Sequence, residues 1–175
     1  DAWTPIEDDV NNARIQGGAN YVEGQAGYSG NGLNAHIYEG ILTSHQAYSG
    51  PVINVLSGGA SSSHGTQTAG IVFGDGTGNP TFRGFAPDVG KFYTTYNSVT
   101  TSRFNVVAEL VNNRNVSHTT ASWGNARTFF YTSISAEADD IIFDHDLAWT
   151  QSQSNAGNQD SRPQAWAKNI IAVGK

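Results

Sequence analysis

His64-Gly65-Thr66-Gln67-Thr68-Ala69-Gly70 stands between a serine run, Ser61 to Ser63, and an apolar triplet, Ile71-Val72-Phe73. The segment Ser61 to His64 supplies N-cap chemistry and Gly74 follows where a helix would stop, so a helix is expected through Phe73. A histidine that opens a helix is held at a rigid, reproducible place, with its ring projecting from the strand-end side of a sheet. The small residues behind it, Gly65, Ala69 and Gly70, let such a helix approach neighbouring backbone closely. Alone, a histidine of this kind reads as a packing residue; its surroundings decide otherwise.

Outward from this helix the chain alternates between strands and helices. Upstream, the glycine-rich turn Gly27 to Gly32 leads into a strand from Leu33 to Tyr38, and Val52 to Leu56 is a second short apolar run. Downstream, Asp75 to Pro80 is a loop by composition and Lys91 to Tyr96 reads as a strand. Phe104 to Asn113 reads as a helix with Val107, Leu110 and Val111 on one face, and Val116 to Ala121 as a strand. Ile134, Ala138, Ile141 and Ile142 fall at the i, i+4, i+7 and i+8 positions of an amphipathic helix. Leu147 to Gln153 and Ile170 to Val173 are the last strand candidates. Residues 1–24 are polar, and Ile6, Val10, Ala13 and Arg14 have the spacing of a short surface helix that Gly17 and Gly18 would end. The expected organisation is an N-terminal helical extension over 1–26 and one α/β unit over 27–175. Such alternation implies a mostly parallel β-sheet flanked by helices.

Composition narrows the function. The 175 residues are 38% hydrophobic and only 14% charged, with 20 glycines and no cysteine or methionine. Nine basic residues against 15 acidic ones give a net charge of -6. Phosphate binding needs clustered Lys and Arg, so neither nucleic acid nor an anionic membrane is expected as a partner. Without cysteine there are no disulfides and no thiolate metal sites. No apolar run approaches the ~20 residues of a membrane helix, and no signal peptide is visible, so a soluble, processed product is expected.

The motifs around His64 resemble, in order, those of the subtilisin-like serine peptidases (subtilases). His64-Gly65-Thr66 resembles the family's histidine motif, and Arg83-Gly84-Phe85-Ala86-Pro87 the segment leading into the next core strand. Ser122-Trp123-Gly124 resembles the Ser-x-Gly substrate-binding edge. Ser154-Asn155-Ala156-Gly157 resembles the oxyanion asparagine turn, and Ala167 to Gly174 the strand after it. The match runs from about Gly27 to the C-terminus. It implies a subtilisin-like three-layer fold, present as its N-terminal portion, in a secreted serine endopeptidase that acts on polypeptides.

The family's order is Asp, His, Ser. Here Glu39, in Ala35-His36-Ile37-Tyr38-Glu39-Gly40-Ile41, stands where the aspartate is expected, 25 residues before His64. No aspartate lies between Asp9 and Asp75, and Glu23 is the only other carboxylate there. Any ionised carboxylate can fix the imidazole tautomer and stabilise the imidazolium, so glutamate is chemically admissible. The resemblance makes Asn155 the oxyanion donor, with Asn158 competing in Ala156-Gly157-Asn158; loss of that donor costs on the order of 10²–10³ in rate in subtilisin. No Gly-Thr-Ser occurs in 1–175, so the nucleophile is expected beyond Lys175, on a C-terminal fragment that would be a partner. A non-catalytic pseudo-peptidase binding extended peptides along Ser122 to Gly124 is the alternative.

The chemistry implied requires no cofactor and no catalytic metal. Asp75, Thr77 and Asn79 form an oxygen-rich loop that could hold a structural Ca²⁺ or be simply a polar loop. His45 reads as a structural hydrogen-bonder, and His36, His118 and His145 as surface or packing residues.

Overall fold

The computed structural model describes residues 10–174. The expected contact of Ile6 in the first helix therefore lies outside the described residues. Six strands, β1 (Asn34–Ile37), β2 (Val52–Asn54), β3 (Gly90–Tyr93), β4 (Val116–Ala121), β5 (Ala148–Ser152) and β6 (Ile171–Val173), form one sheet. Its order is β2-β3-β1-β4-β5-β6, and all five pairings are parallel.

The helices are α1 (Val10–Gln16), α2 (Ala19–Ala26), α3 (Ser63–Phe73), α4 (Arg103–Arg114) and α5 (Ser133–His145). They follow from local chemistry. The Ser62 side chain accepts from the Gly65 amide to cap α3, and the Ser102 side chain accepts from Asn105 to cap α4. Thr132 and Ser135 form a reciprocal capping box at α5. Asn115 and Asp146, both left-handed with φ near 50° (50° and 48°), end α4 and α5 and turn the chain directly into strands.

Strand alternation divides the core into two clusters. Ala35 and Ile37 face Ala69 and Phe73 of α3. Tyr38, Phe92 and Trp149 face Val106, Val107 and Leu110 of α4 and Ile141 of α5. The sheet is therefore sandwiched between α3 on one face and the α4–α5 pair on the other, the three layers that the resemblance implied. The sheet also buries polar side chains, His36 with Thr94 and Thr119 among them. His36, expected at the surface or in ordinary packing, is fully buried at the centre of the sheet. Its Nδ1 is 2.7 Å from Thr119 Oγ1 and its Nε2 3.0 Å from Thr94 Oγ1. Thr94 Oγ1 already donates to the Val55 carbonyl at 2.8 Å, so it accepts from His36 Nε2–H, and Thr119 donates to Nδ1. Burial, with a smaller contribution from His118, holds this imidazole down at about 3, and it is neutral.

At the N-terminus the first helix ends at Gln16, as expected, but a second one, α2, follows Gly18, whose φ of 78° makes it the joint between them. Arg14 is not on the surface. It is buried, pairs with Glu23 of α2 and donates to the Gly84 carbonyl, while Arg83 binds the same Glu23 at 2.5 Å. The two cations hold the Glu23 carboxyl below its usual range. Among the described residues no helix is long and apolar enough to cross a membrane.

Candidate active site

From β1 the chain moves outward to β2, returns through β3, then crosses to β4 on the other side of β1. The carboxyl ends of β1 and β4 flank this reversal, which is where open α/β sheets bind ligands. Glu39 lies two residues past β1, Ser122 one past β4 and Asn155 three past β5. Because every pairing is parallel, all three leave the same end of the sheet.

His64 is brought to that end by the first turn of α3. The approach is close: a methyl group on Gly65 would lie 2.2 Å from the Gly40 carbonyl oxygen and 2.8 Å from Glu39 Cβ. A methyl group on Gly40 would lie 2.1 Å from the Ala60 oxygen. Only glycine fits at either position, so Gly65 is a docking surface. The Ser62 amide donates to Gly40 O at 3.0 Å, and Thr66 Oγ1 accepts from the Leu42 amide at 3.0 Å, fastening the helix start to the Glu39 loop.

This docking brings His64 Nδ1 to 3.2 Å from Glu39 Oε2. The carboxylate is buried at 2% exposure, whereas 62% of the imidazole surface is open to solvent. Burial pushes the Glu39 carboxyl up, and His64 and then the Ser122 backbone amide oppose this. The Ser122 contact is too loose for a full hydrogen bond, and Oε1 is buried without a partner. With Glu39 ionised, Nδ1–H donates to it and the Nε2 lone pair faces the open side. That is the tautomer a general base needs.

Ser122, Trp123 and Gly124 continue past the end of β4. Trp123 Nε1 donates to the Tyr38 carbonyl at 2.5 Å, and its ring stacks on Tyr96 at 4.6 Å. Gln151 also holds the Trp123 carbonyl. These contacts fix the segment, and the Arg162 side chain covers Gly124 and donates to its carbonyl at 3.3 Å. Arg162 gave no signal in the sequence, because its partners are backbone carbonyls nearly forty residues away.

The asparagines differ in how they are held. Asn158 Oδ1 accepts from the Asp160 amide at 2.9 Å, tying that side chain to its own loop. Asn155 is exposed and makes no side-chain hydrogen bond among the described residues. In the candidate calcium loop, Asp75 Oδ1 accepts from the Thr77 amide at 2.7 Å and Asn79 Oδ1 from the Thr81 amide at 3.0 Å. Those oxygens cap the loop's own turns. His45 Nδ1 accepts from the Ala47 amide at 3.3 Å, a structural role.

No protein-family profile and no curated protein matches the sequence. Solved structures do match in three dimensions. The prenylagaramide maturation protease PagA superposes with a TM-score of 0.64 at 20% identity, over 81% of this chain and 52% of that one. A mutant of the protease domain of PatA gives 0.64 at 17% identity, over 83% and 58%. A psychrophilic subtilisin-like protease, Apa1, from an Antarctic Pseudoalteromonas gives 0.63 at 17% identity, over 89% and 39%. The chain has the subtilisin-like fold. It spans about half the length of the solved structures it matches.

Proposed function

We propose that this chain forms the base-bearing part of a serine endopeptidase of the subtilisin type. The observation that carries the reading is the 3.2 Å contact between a buried carboxylate and an exposed imidazole at the switch point of a parallel sheet. His64 Nε2 would take the proton of an attacking serine hydroxyl and return it to the leaving amine. Glu39 would hold the tautomer and stabilise the imidazolium. Asn155, whose amide is free, would donate to the oxyanion, and Ser122 to Gly124 would align the peptide.

The nucleophilic serine would come from chain outside these 175 residues, continuous with them or as a separate associated fragment. The outermost strand supports this, because Ile171 and Val173 of β6 are each 53% exposed on an unpaired parallel edge. Further chain packed there would cover them. Secretion accords with a cysteine-free, acidic polypeptide of this type.

The test uses the longest natural form of the protein and a serine-directed fluorophosphonate. Covalent labelling of wild type that is lost in His64→Ala is expected. Peptide binding without any labelling would establish the pseudo-peptidase instead, and labelling that survives in His64→Ala would remove His64 from the chemistry.

A further inference from the structure

Among the described residues the arginines are not alike. Arg14, Arg83, Arg103, Arg114 and Arg127 each pair with a carboxylate. Arg162 pairs with none. It lies instead between the two segments that flank the proposed peptide site. Its Nη1 donates to the carbonyls of Gly124, at 3.3 Å, and Asn125, at 3.0 Å, just past β4. Its own amide donates to the Gln153 carbonyl at 2.7 Å, at the end of β5 and two residues before Asn155. Its stem rests on Gly124 so closely that a methyl group there would stand 2.7 to 2.9 Å from Cβ, Cγ and Cδ.

This contact fixes the side chain without neutralising it. Two carbonyl dipoles orient a guanidinium, but they leave its unit charge in place. Nε and Nη2 make no hydrogen bond among the described residues, and the residue is half-exposed. The nearest acid in sequence, Asp160, is turned to Arg127 at 3.7 Å. A protein with a net charge of -6 thus keeps an unpaired cation beside its candidate peptide edge.

We propose that Arg162 is a specificity determinant that receives an acidic side chain, Asp or Glu, of the bound peptide. The free donors of a planar guanidinium match a carboxylate in a two-point contact that a neutral amide cannot reproduce. The proposal rests on the peptide-binding reading of the Ser122 to Gly124 edge. It does not require catalysis.

The test is fluorescence anisotropy with labelled alanine-based decapeptides carrying a single Glu, or a single Gln, at each position in turn. At one position the Glu peptide is expected to bind wild type about tenfold more tightly than its Gln counterpart, with the ratio shrinking in high salt. Arg162→Gln should bring that ratio to about one, with a far-UV circular dichroism spectrum and a urea midpoint like those of wild type showing that the variant is folded. Arg162→Lys should retain part of the preference. Equal affinities at every position, a preference that persists in Arg162→Gln, or no binding of any peptide would overturn the proposal. Binding with the predicted preference but no fluorophosphonate labelling would leave it standing and remove only the catalytic reading.

Discussion

Two buried titratable side chains, Glu39 and His36, make opposite demands on pH. Burial raises the Glu39 carboxyl, with His64 and the Ser122 amide opposing. A carboxyl raised in the folded state favours folding below its unfolded value, and that advantage is lost as pH rises through the folded value. Glu39→Gln keeps the shape and removes the charge. It should raise the urea midpoint near pH 8, by the equivalent of about 1 kcal/mol, with the gain shrinking towards pH 4; a loss of stability at pH 8 would contradict this. His36 runs the other way. Its imidazole is held at about 3 by burial against an ordinary 6.5. The stability it contributes is full above 6.5 and is lost as pH falls towards 3, because the unfolded chain takes up the proton first. Urea unfolding should show a lower wild-type midpoint at pH 5 than at pH 7, and a shallower pH dependence in His36→Leu. An equal slope in both proteins would show that His36 is not the group responsible.

At the scale of elements, α3 was the most legible piece of the sequence, since its serine cap, small residues and terminal Gly74 all carry local signals. Its glycines, however, look alike in sequence and differ in space. Gly65 abuts Gly40 and Glu39, whereas Gly70 has nothing within 4 Å of where a methyl group would stand. Gly65→Ala should cost about 2 kcal/mol or more and displace His64. Gly70→Ala should be neutral or stabilising by up to ~1 kcal/mol, both read from thermal unfolding. Equal effects would mean that the helix does not dock through Gly65. Other boundaries were less legible for physical reasons. The third strand was expected to reach Tyr96 but ends at Tyr93, because Thr95 Oγ1 turns to the Ala60 carbonyl and the chain enters a short 3₁₀ turn at Tyr96–Ser98. Helix α2 was not expected, because Gly17-Gly18 reads as a stop, while Gly18 in fact serves as the joint to a new helix.

For the molecule as a whole, the parallel sheet flanked by helices followed from the alternation of strands and helices, and the resemblance put Glu39 and His64 in the family's acid-then-histidine order. What could not be read were contacts between side chains and distant backbone or unexpected elements. Arg162 on Gly124 is one, and the Arg14–Glu23–Arg83 cluster that ties α1 and α2 to the loop before β3 is another. Removing Glu23 strands a buried guanidinium, so Glu23→Ala should destabilise the fold by about 2–3 kcal/mol; a denaturant midpoint unchanged from wild type would contradict this. The sheet and the docking of α3 through Gly65 set one imidazole with its Nδ1 against a buried carboxylate. Long-range proton–nitrogen NMR of histidine-labelled protein at about pH 8.5, where an ordinary imidazole is neutral, reads that arrangement directly. His64 should be the Nδ1–H tautomer in wild type and change to Nε2–H in Glu39→Gln, whose amide can donate to Nδ1. An Nε2–H or freely averaging His64 in wild type would contradict the assignment of Glu39 and His64 as an acid–base pair.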